Sequence, residues 1–140
     1  MITNTKIINF SSNKNEQYGT LVALEELRNI PFSIRRIYYI FGVPKGETRG
    51  HHSHNELEQV LICVSGSVKL TVSTPDEHQT ILLDKKNEGL YIGPMIWRVM
   101  SEFSQDAVLL VLASQYYDED DYIRDHSIYI KKAKEYFLER

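Results

Sequence analysis

Cysteine is almost missing from this chain. Its 140 residues include one, Cys63, inside the apolar run Val60-Leu61-Ile62-Cys63-Val64. No disulfide can form within the chain, which predicts a reducing compartment, the cytoplasm. A reactive thiol needs an electropositive setting, so Cys63 reads as packing. No apolar run approaches the roughly 18 residues that a membrane helix needs. The opening Met1-Ile2-Thr3-Asn4-Thr5-Lys6 has no charged region followed by a long apolar one, so neither a membrane span nor a secretory signal is expected. An excess of one charge is also lacking. Sixteen Lys and Arg stand against 19 Asp and Glu, a formal net charge of −3, which predicts no nucleic-acid or acidic-membrane partner. Repeats, low-complexity tracts and Pro/Ser-rich linkers are absent too, and the length fits one domain over residues 1–140.

What is present is a series of short strand signals. Residues 34–41, Ile-Arg-Arg-Ile-Tyr-Tyr-Ile-Phe, are rich in β-branched and aromatic side chains and end at Gly42. Further strands are expected at Leu57–Val64, Ser67–Val72, Gln79–Leu83, Gly89–Ile92 and Ala107–Ala113, each close to a Gly, Pro or Asp turn. Lys6–Phe10 and Thr20–Glu25 add two candidates. Strands of this length and spacing predict an all-β sandwich or barrel. The tail differs. Ile128, Lys131, Ala133, Lys134 and Phe137 fit a helical period. The acidic run Asp118-Glu119-Asp120-Asp121 suits the solvated start of that helix rather than a metal site.

Chemistry concentrates in Gly50-His51-His52-Ser53-His54, with Glu58 four residues later. Side chains alternate along a strand, so His52 and His54 share a face and His51 takes the other. Continued alternation would put Glu58, Val60 and Ile62 beside the pair, giving a small barrel two histidines and a carboxylate at its mouth. Three readings follow: an idle edge strand, a metal site of imidazoles and a carboxylate, or acid–base catalysis by an imidazole.

The spacing Gly46, His52, His54, Glu58, Gly66 resembles the first motif of the cupin superfamily, with one extra residue before the last glycine. Metal-binding cupins add a histidine after a later Pro-x-Gly turn. Here the matching stretch is Gly93-Pro94-Met95-Ile96-Trp97-Arg98, without that glycine and with Arg98 about where the histidine would be. A guanidinium stays protonated and cannot replace a metal ligand, so no metal is expected.

Longer stretches narrow the resemblance. Residues 30–40, Arg49-Gly50-His51-His52-Ser53-His54, Leu57–Cys63, Gly89–Pro94, Val111–Ser114, and Tyr116–Glu119 with Asp121–Arg124 are together similar to the sugar 3,4-ketoisomerases acting on dTDP-4-keto-6-deoxyglucose. The resemblance implies a cupin-type jelly-roll β-barrel, here with a short C-terminal helical tail. It also implies a homodimer, no cofactor, and a role in nucleotide-sugar biosynthesis for surface glycans such as lipopolysaccharide. His52 matches the family's proposed base, and His54 would orient it or relay a proton between sugar oxygens. The C4 ketone acidifies the C3 proton; a base takes it, an enediolate forms, and reprotonation at C4 leaves a C3 ketone. Arg98, at the expected mouth, Tyr18 and Tyr38 are the candidates for steadying the enediolate oxygen. Arg36 and Arg49 suit the diphosphate, and Glu58 would contact substrate by its inward parity. Relatives often carry an aromatic residue where this chain has His51, which parity turns away from the pocket. Members giving the gluco-configured product carry Tyr and Arg at the positions of Tyr18 and Arg98. That implies dTDP-3-keto-6-deoxyglucose as product. The strand at Lys6–Phe10 could pair with the sheet of a second copy. Competing readings are a metal-dependent cupin enzyme, a non-catalytic sugar-nucleotide-binding cupin, and a 3,5-epimerase pairing a base histidine with an acid tyrosine.

Overall fold

The computed structural model describes residues 1–139. In chain order the strands are β1 (Thr5–Asn9), β2 (Ser12–Asn15), β3 (Gly19–Val22), β4 (Arg36–Phe41), β5 (Arg49–His54) and β6 (Gln59–Ser65). β7 (Val68–Ser73), β8 (His78–Leu83), β9 (Glu88–Ile92), β10 (Trp97–Ser101), β11 (Val108–Ala113) and β12 (Tyr122–Ile123) follow, and helix α1 (His126–Leu138) closes the described chain. One sheet runs β1-β9-β6-β11-β4 and the other β12-β5-β10-β7-β8. The pairing order explains the shape. β7 pairs with β8 as a hairpin, β6 with β9, β5 with β10 and β4 with β11, all antiparallel. A hairpin extended outward in this way and rolled on itself is the jelly roll that the sequence resemblance implied. The two sheets face each other without closing into one hydrogen-bonded barrel.

Alternation places the core between the sheets. Leu61 and Cys63 of β6, Leu70 and Val72 of β7, Leu90 and Ile92 of β9, and Leu109 and Val111 of β11 meet there, nearly solvent-free. Cys63 is packing, as its apolar run predicts, and burial raises its thiol pKa. The opposite face of β6, with Val60 and Ile62, packs against Phe10, Ile30 and Phe32 from the N-terminal third. β6 therefore has apolar residues on both faces, which is why its run is continuous rather than alternating.

Three strands carry no signal in the sequence: β2, β10 and the two-residue β12. β2 is polar and fully exposed, pairing only with β3. β10 starts at Trp97, immediately after the Pro94 turn, and lies centrally between β5 and β7. β1 pairs with β9 of its own chain and ends its sheet, so its outer edge is unpaired among the described residues and stays open to a second copy.

The acidic run does not start the helix. Glu119–Asp121 form a 3-10 turn, and α1 begins after an Asp125 cap whose carboxylate accepts from the Ile128 amide at 3.1 Å. Tyr129 and Ala133, four residues apart, share the buried face of α1 with Trp97, Met95 and Ile123. The Tyr129 hydroxyl donates towards the carbonyls of Met95 and Ser73, so α1 closes the outer side of the second sheet.

Candidate active site

At one end of the roll the interior turns polar. A cleft of about 550 Å³ is lined there by Arg36, Tyr38 and Ile40 of β4 and by the Thr48–His52 stretch at β5. Met100 of β10, then Tyr117, Tyr122 and Arg124 from the tail, complete its wall.

A bulge in β5 sets the geometry. Arg98 stands opposite His52 but Val99 stands opposite Gly50, so His51 is the extra residue. Gly50 and His51 both have positive φ, +92° and +55°. A Cβ on Gly50 would lie 2.9 Å from the Arg98 carbonyl oxygen, so the bulge requires glycine there. The bulge also corrects a parity argument. His51 does not face away from the cleft; it lines it, exposed, with Nε2 2.8 Å from the Thr48 hydroxyl.

Past the bulge, His52 and His54 do share a face. Their rings meet edge to face with centroids 4.9 Å apart, and both touch the Tyr122 ring, at 4.9 and 4.3 Å. His52 Nδ1 lies 3.0 Å from the Gly50 carbonyl oxygen. A carbonyl only accepts, so Nδ1 carries the proton and Nε2 presents a lone pair. His54 is almost wholly buried, with Nδ1 donating to Asp121 Oδ2 at 3.2 Å. Its Nε2 is buried with no hydrogen-bond partner.

Electrostatics holds both rings neutral. Burial, then the Arg98 charge, lowers the His52 pKa to about 4. The same two causes push His54 further down. The His54–Asp121 contact is therefore a charge-assisted hydrogen bond rather than an ion pair.

The other expected residues divide. Tyr38 lines the cleft, and its hydroxyl accepts from Gln59 Nε2 at 3.0 Å, leaving its own proton free to donate. Arg36 lies over Tyr38, 5.2 Å from the ring centroid, and Arg49 is exposed at the cleft; both line it. Arg98 is at no mouth. As the second residue of a central strand it points inward beneath the histidines, fully buried. It donates to Gln59 Oε1 at 2.5 Å and to the Ile96 carbonyl. Its nearby positive charge, rather than contact with the cleft, reaches the imidazoles.

Glu58 is also corrected. Residues between β5 and β6 form a turn, so strand alternation does not carry through them. Gln59, not Glu58, takes the inward position, and Glu58 accepts from the Tyr91 hydroxyl at 2.6 Å. Tyr18 sits at the β2–β3 turn, 81% exposed, and does not line the cleft of its own chain. Strand alternation gives no signal for Gln59, Asp121, Tyr122 or Arg124, although all four stand in stretches that carry the family resemblance. Among the described residues no group of three His, Cys, Asp or Glu is placed to hold a metal ion.

Comparison with known proteins fits this geometry. The chain is 47% identical over 135 residues to a TDP-4-oxo-6-deoxy-α-D-glucose-3,4-oxoisomerase of Aneurinibacillus thermoaerophilus, covering 96% of each protein. The fold superposes with TM-score 0.95 and 50% identity on a 3,4-ketoisomerase of Thermoanaerobacterium thermosaccharolyticum, a histidine-to-asparagine mutant in complex with TDP-4-keto-6-deoxyglucose, over 99% of each chain. It superposes with TM-score 0.89 and 42% identity on a TDP-quinovose 3,4-ketoisomerase of Campylobacter jejuni, over 93% of this chain and 99% of that one. A family model described as FdtA: WxcM-like, C-terminal matches residues 3–134. The chain belongs to that family of cupin-fold proteins, the FdtA family.

Proposed function

We propose that this chain isomerises dTDP-4-keto-6-deoxyglucose to dTDP-3-keto-6-deoxyglucose, with His52 as the base. One observation carries the reading. Neutral His52 lines a cleft that Arg36, Arg49 and Arg124 surround, with its Nε2 lone pair unengaged, and neutral His54 packs edge to face against it with a buried, unpartnered Nε2. The relatives named above act on this class of substrate.

The isomerisation moves two protons. His52 Nε2 takes the proton from C3, the C3–H electrons form the C3=C4 bond, and the C4 oxygen becomes an enolate. His52 then returns its proton to C4. Meanwhile the O3 hydroxyl loses its proton, leaving the C3 ketone, and the C4 oxygen gains one. His54 is the group for that second transfer. The Tyr38 hydroxyl and the buried Arg98 charge stabilise the developing oxyanion. The guanidinium groups of Arg36, Arg49 and Arg124 hold the diphosphate. Its negative charge, once bound, raises the His52 pKa again and makes the imidazole a better base where one is needed.

Tyr18 fits this scheme through a second copy. The outer face of β4 exposes Ile37, Tyr39 and Phe41 in alternation, an apolar stripe along a sheet edge. In a homodimer covering that stripe, the β2–β3 hairpin is the element able to carry Tyr18 to the partner's cleft. Sedimentation at micromolar concentration is expected to show a dimer; a monomer alone would remove Tyr18 from the site. The lone buried thiol and a sugar-nucleotide substrate suit the cytoplasm. Among the described residues no helix is long and apolar enough to cross a membrane.

The test is direct. The enzyme is incubated with dTDP-4-keto-6-deoxyglucose, the product is trapped by a PLP-dependent aminotransferase, and the H3–H4 coupling of the amino sugar is read by proton NMR. A large coupling, both protons axial, is expected for the gluco product. A small coupling would refute the stereochemical reading of Tyr18 and Arg98, and no trapped amino sugar would refute the isomerase.

A further inference from the structure

Asp121 has more contacts than a surface acid in a charged run requires. It is 10% exposed at its side chain, and each carboxylate oxygen is engaged. Oδ1 accepts from the Glu56 amide at 3.0 Å, and Oδ2 accepts from the Leu57 amide and from His54 Nδ1, both at 3.2 Å. Its carbonyl oxygen accepts from the Asn55 amide at 3.0 Å. Immediately after it, Tyr122 pairs with His54 and Ile123 with Ser53 in the β12–β5 ladder. The tail thus returns across the molecule to clasp the strand that bears both histidines.

The consequence for His54 is chemical. A carboxylate accepts and never donates, so Nδ1 must keep its proton. Nε2 is then an obligate acceptor, and in the free enzyme it is buried without a partner. An unpartnered buried acceptor is costly. The His54 ring packs against His52, centroids 4.9 Å apart, and His52 lines the cleft, so a substrate donor that reaches past His52 would satisfy Nε2. We propose that Asp121 is a positioning residue: it locks His54 with Nε2 as acceptor for the sugar O3–H and stabilises the imidazolium that forms when His54 takes that proton.

The proposal rests on the ketoisomerase reading and divides the reaction between the rings. His52 works on carbon and His54 on oxygen. The enediolate formed by His52 still carries its proton on O3. It can regain hydrogen at C3, returning substrate. It can become product only if O3 gives up its proton, because the C3=O bond forms from that oxygen's electrons as C4 is protonated. The O3 proton leaves to His54 Nε2 and is delivered to the C4 oxygen, so atoms and charge balance and no other reactant is needed. Without Asp121 the imidazolium has no counter-charge. Hydrogen at C3 should then exchange while product formation fails.

That partition separates positioning from mere support of the fold. Wild type and Asp121→Asn are each incubated with dTDP-4-keto-6-deoxyglucose in deuterated water. Deuterium at C3 of recovered substrate and accumulation of the 3-keto product are both followed by NMR. In Asp121→Asn we expect turnover to fall at least about tenfold while C3 exchange stays within about threefold, given that a proton-transfer group contributes roughly 10²–10⁴-fold. Equal loss of exchange and turnover, or unchanged turnover, overturns the proposal. Nitrogen-15 NMR of histidine-labelled wild type gives a check that needs no variant. His54 should show a protonated Nδ1 and a bare Nε2; a protonated Nε2 overturns the proposal as well. Wild type yielding no 3-keto sugar would instead refute the isomerase assignment itself.

Discussion

Between Gln59 and Leu61 the interior of the roll changes character. Both side chains point inward from β6, two residues apart, yet Leu61 belongs to the apolar core while Gln59 links Arg98 to Tyr38. β10 repeats the change from Arg98 to Met100. The same strands supply a stable end and a reactive end. At the apolar end, burial of Leu61, Leu70, Val72 and Leu109 drives folding. At the polar end, that same exclusion of water holds two imidazoles neutral above an arginine that has no carboxylate hydrogen-bonded to it. Activity is built by placing charge and lone pairs where the neighbouring core has already removed the solvent.

The comparison is broken most severely at the polar end. His52→Asn should lower kcat by at least about 10²-fold, because a general base is lost. Circular dichroism and dTDP affinity should stay near wild type, since His52 supports no core packing. Activity within a few-fold of wild type would remove His52 from the mechanism.

At the apolar end the effects reverse. Leu61→Ala should cost about 2–5 kcal/mol of stability by leaving a cavity, measured by urea unfolding, with kcat little changed well below the melting temperature. A comparable loss of kcat at full foldedness would show that the two ends are not separable.

The pH dependence sharpens the contrast. The neutral form of His52 is the base, and its pKa is lowered from 6.5 to about 4. The acid limb of kcat/KM, which reports free enzyme, should therefore lie near pH 4. The limb of kcat should lie higher, because bound diphosphate favours the imidazolium. Stability has the same sign: between pH 6.5 and about 4 the unfolded chain binds a proton that folded His52 refuses, so stability falls as pH falls. Arg98→Met should move the kcat/KM limb upward yet keep it below 6.5, since burial is the larger cause and the arginine the second. An unmoved limb would deny Arg98 its influence.

The smallest expected effects lie outside the cleft. Glu58→Gln should leave kcat within about twofold, because Glu58 accepts from Tyr91 and does not line the cleft. Extended chelation should leave turnover intact; loss restored by one added metal would favour the metal-dependent reading.

Much of this was legible in the sequence, and the failures share a cause. Regular alternation correctly put His52 with His54, found most strands, and made Cys63 core. It misplaced His51 because Gly50 and His51 form a bulge, and Glu58 because the chain turns at residues 55–58. Asp121 lay hidden in a run that looked solvated. Its inward turn depends on β12 pairing with β5, which brings it to His54, 67 residues away in the chain. β2 and β10 lacked the alternating pattern or were masked by a neighbouring proline turn.

Deuterium incorporation tests the central claim most directly. His52→Asn and wild type are compared on dTDP-4-keto-6-deoxyglucose in deuterated water, with C3 and C4 followed by proton NMR. Wild type should exchange hydrogen at C3 and form the 3-keto sugar, while His52→Asn should show neither over the same time. Undiminished exchange at C3 in His52→Asn, or wild-type exchange confined to C5, would contradict the account.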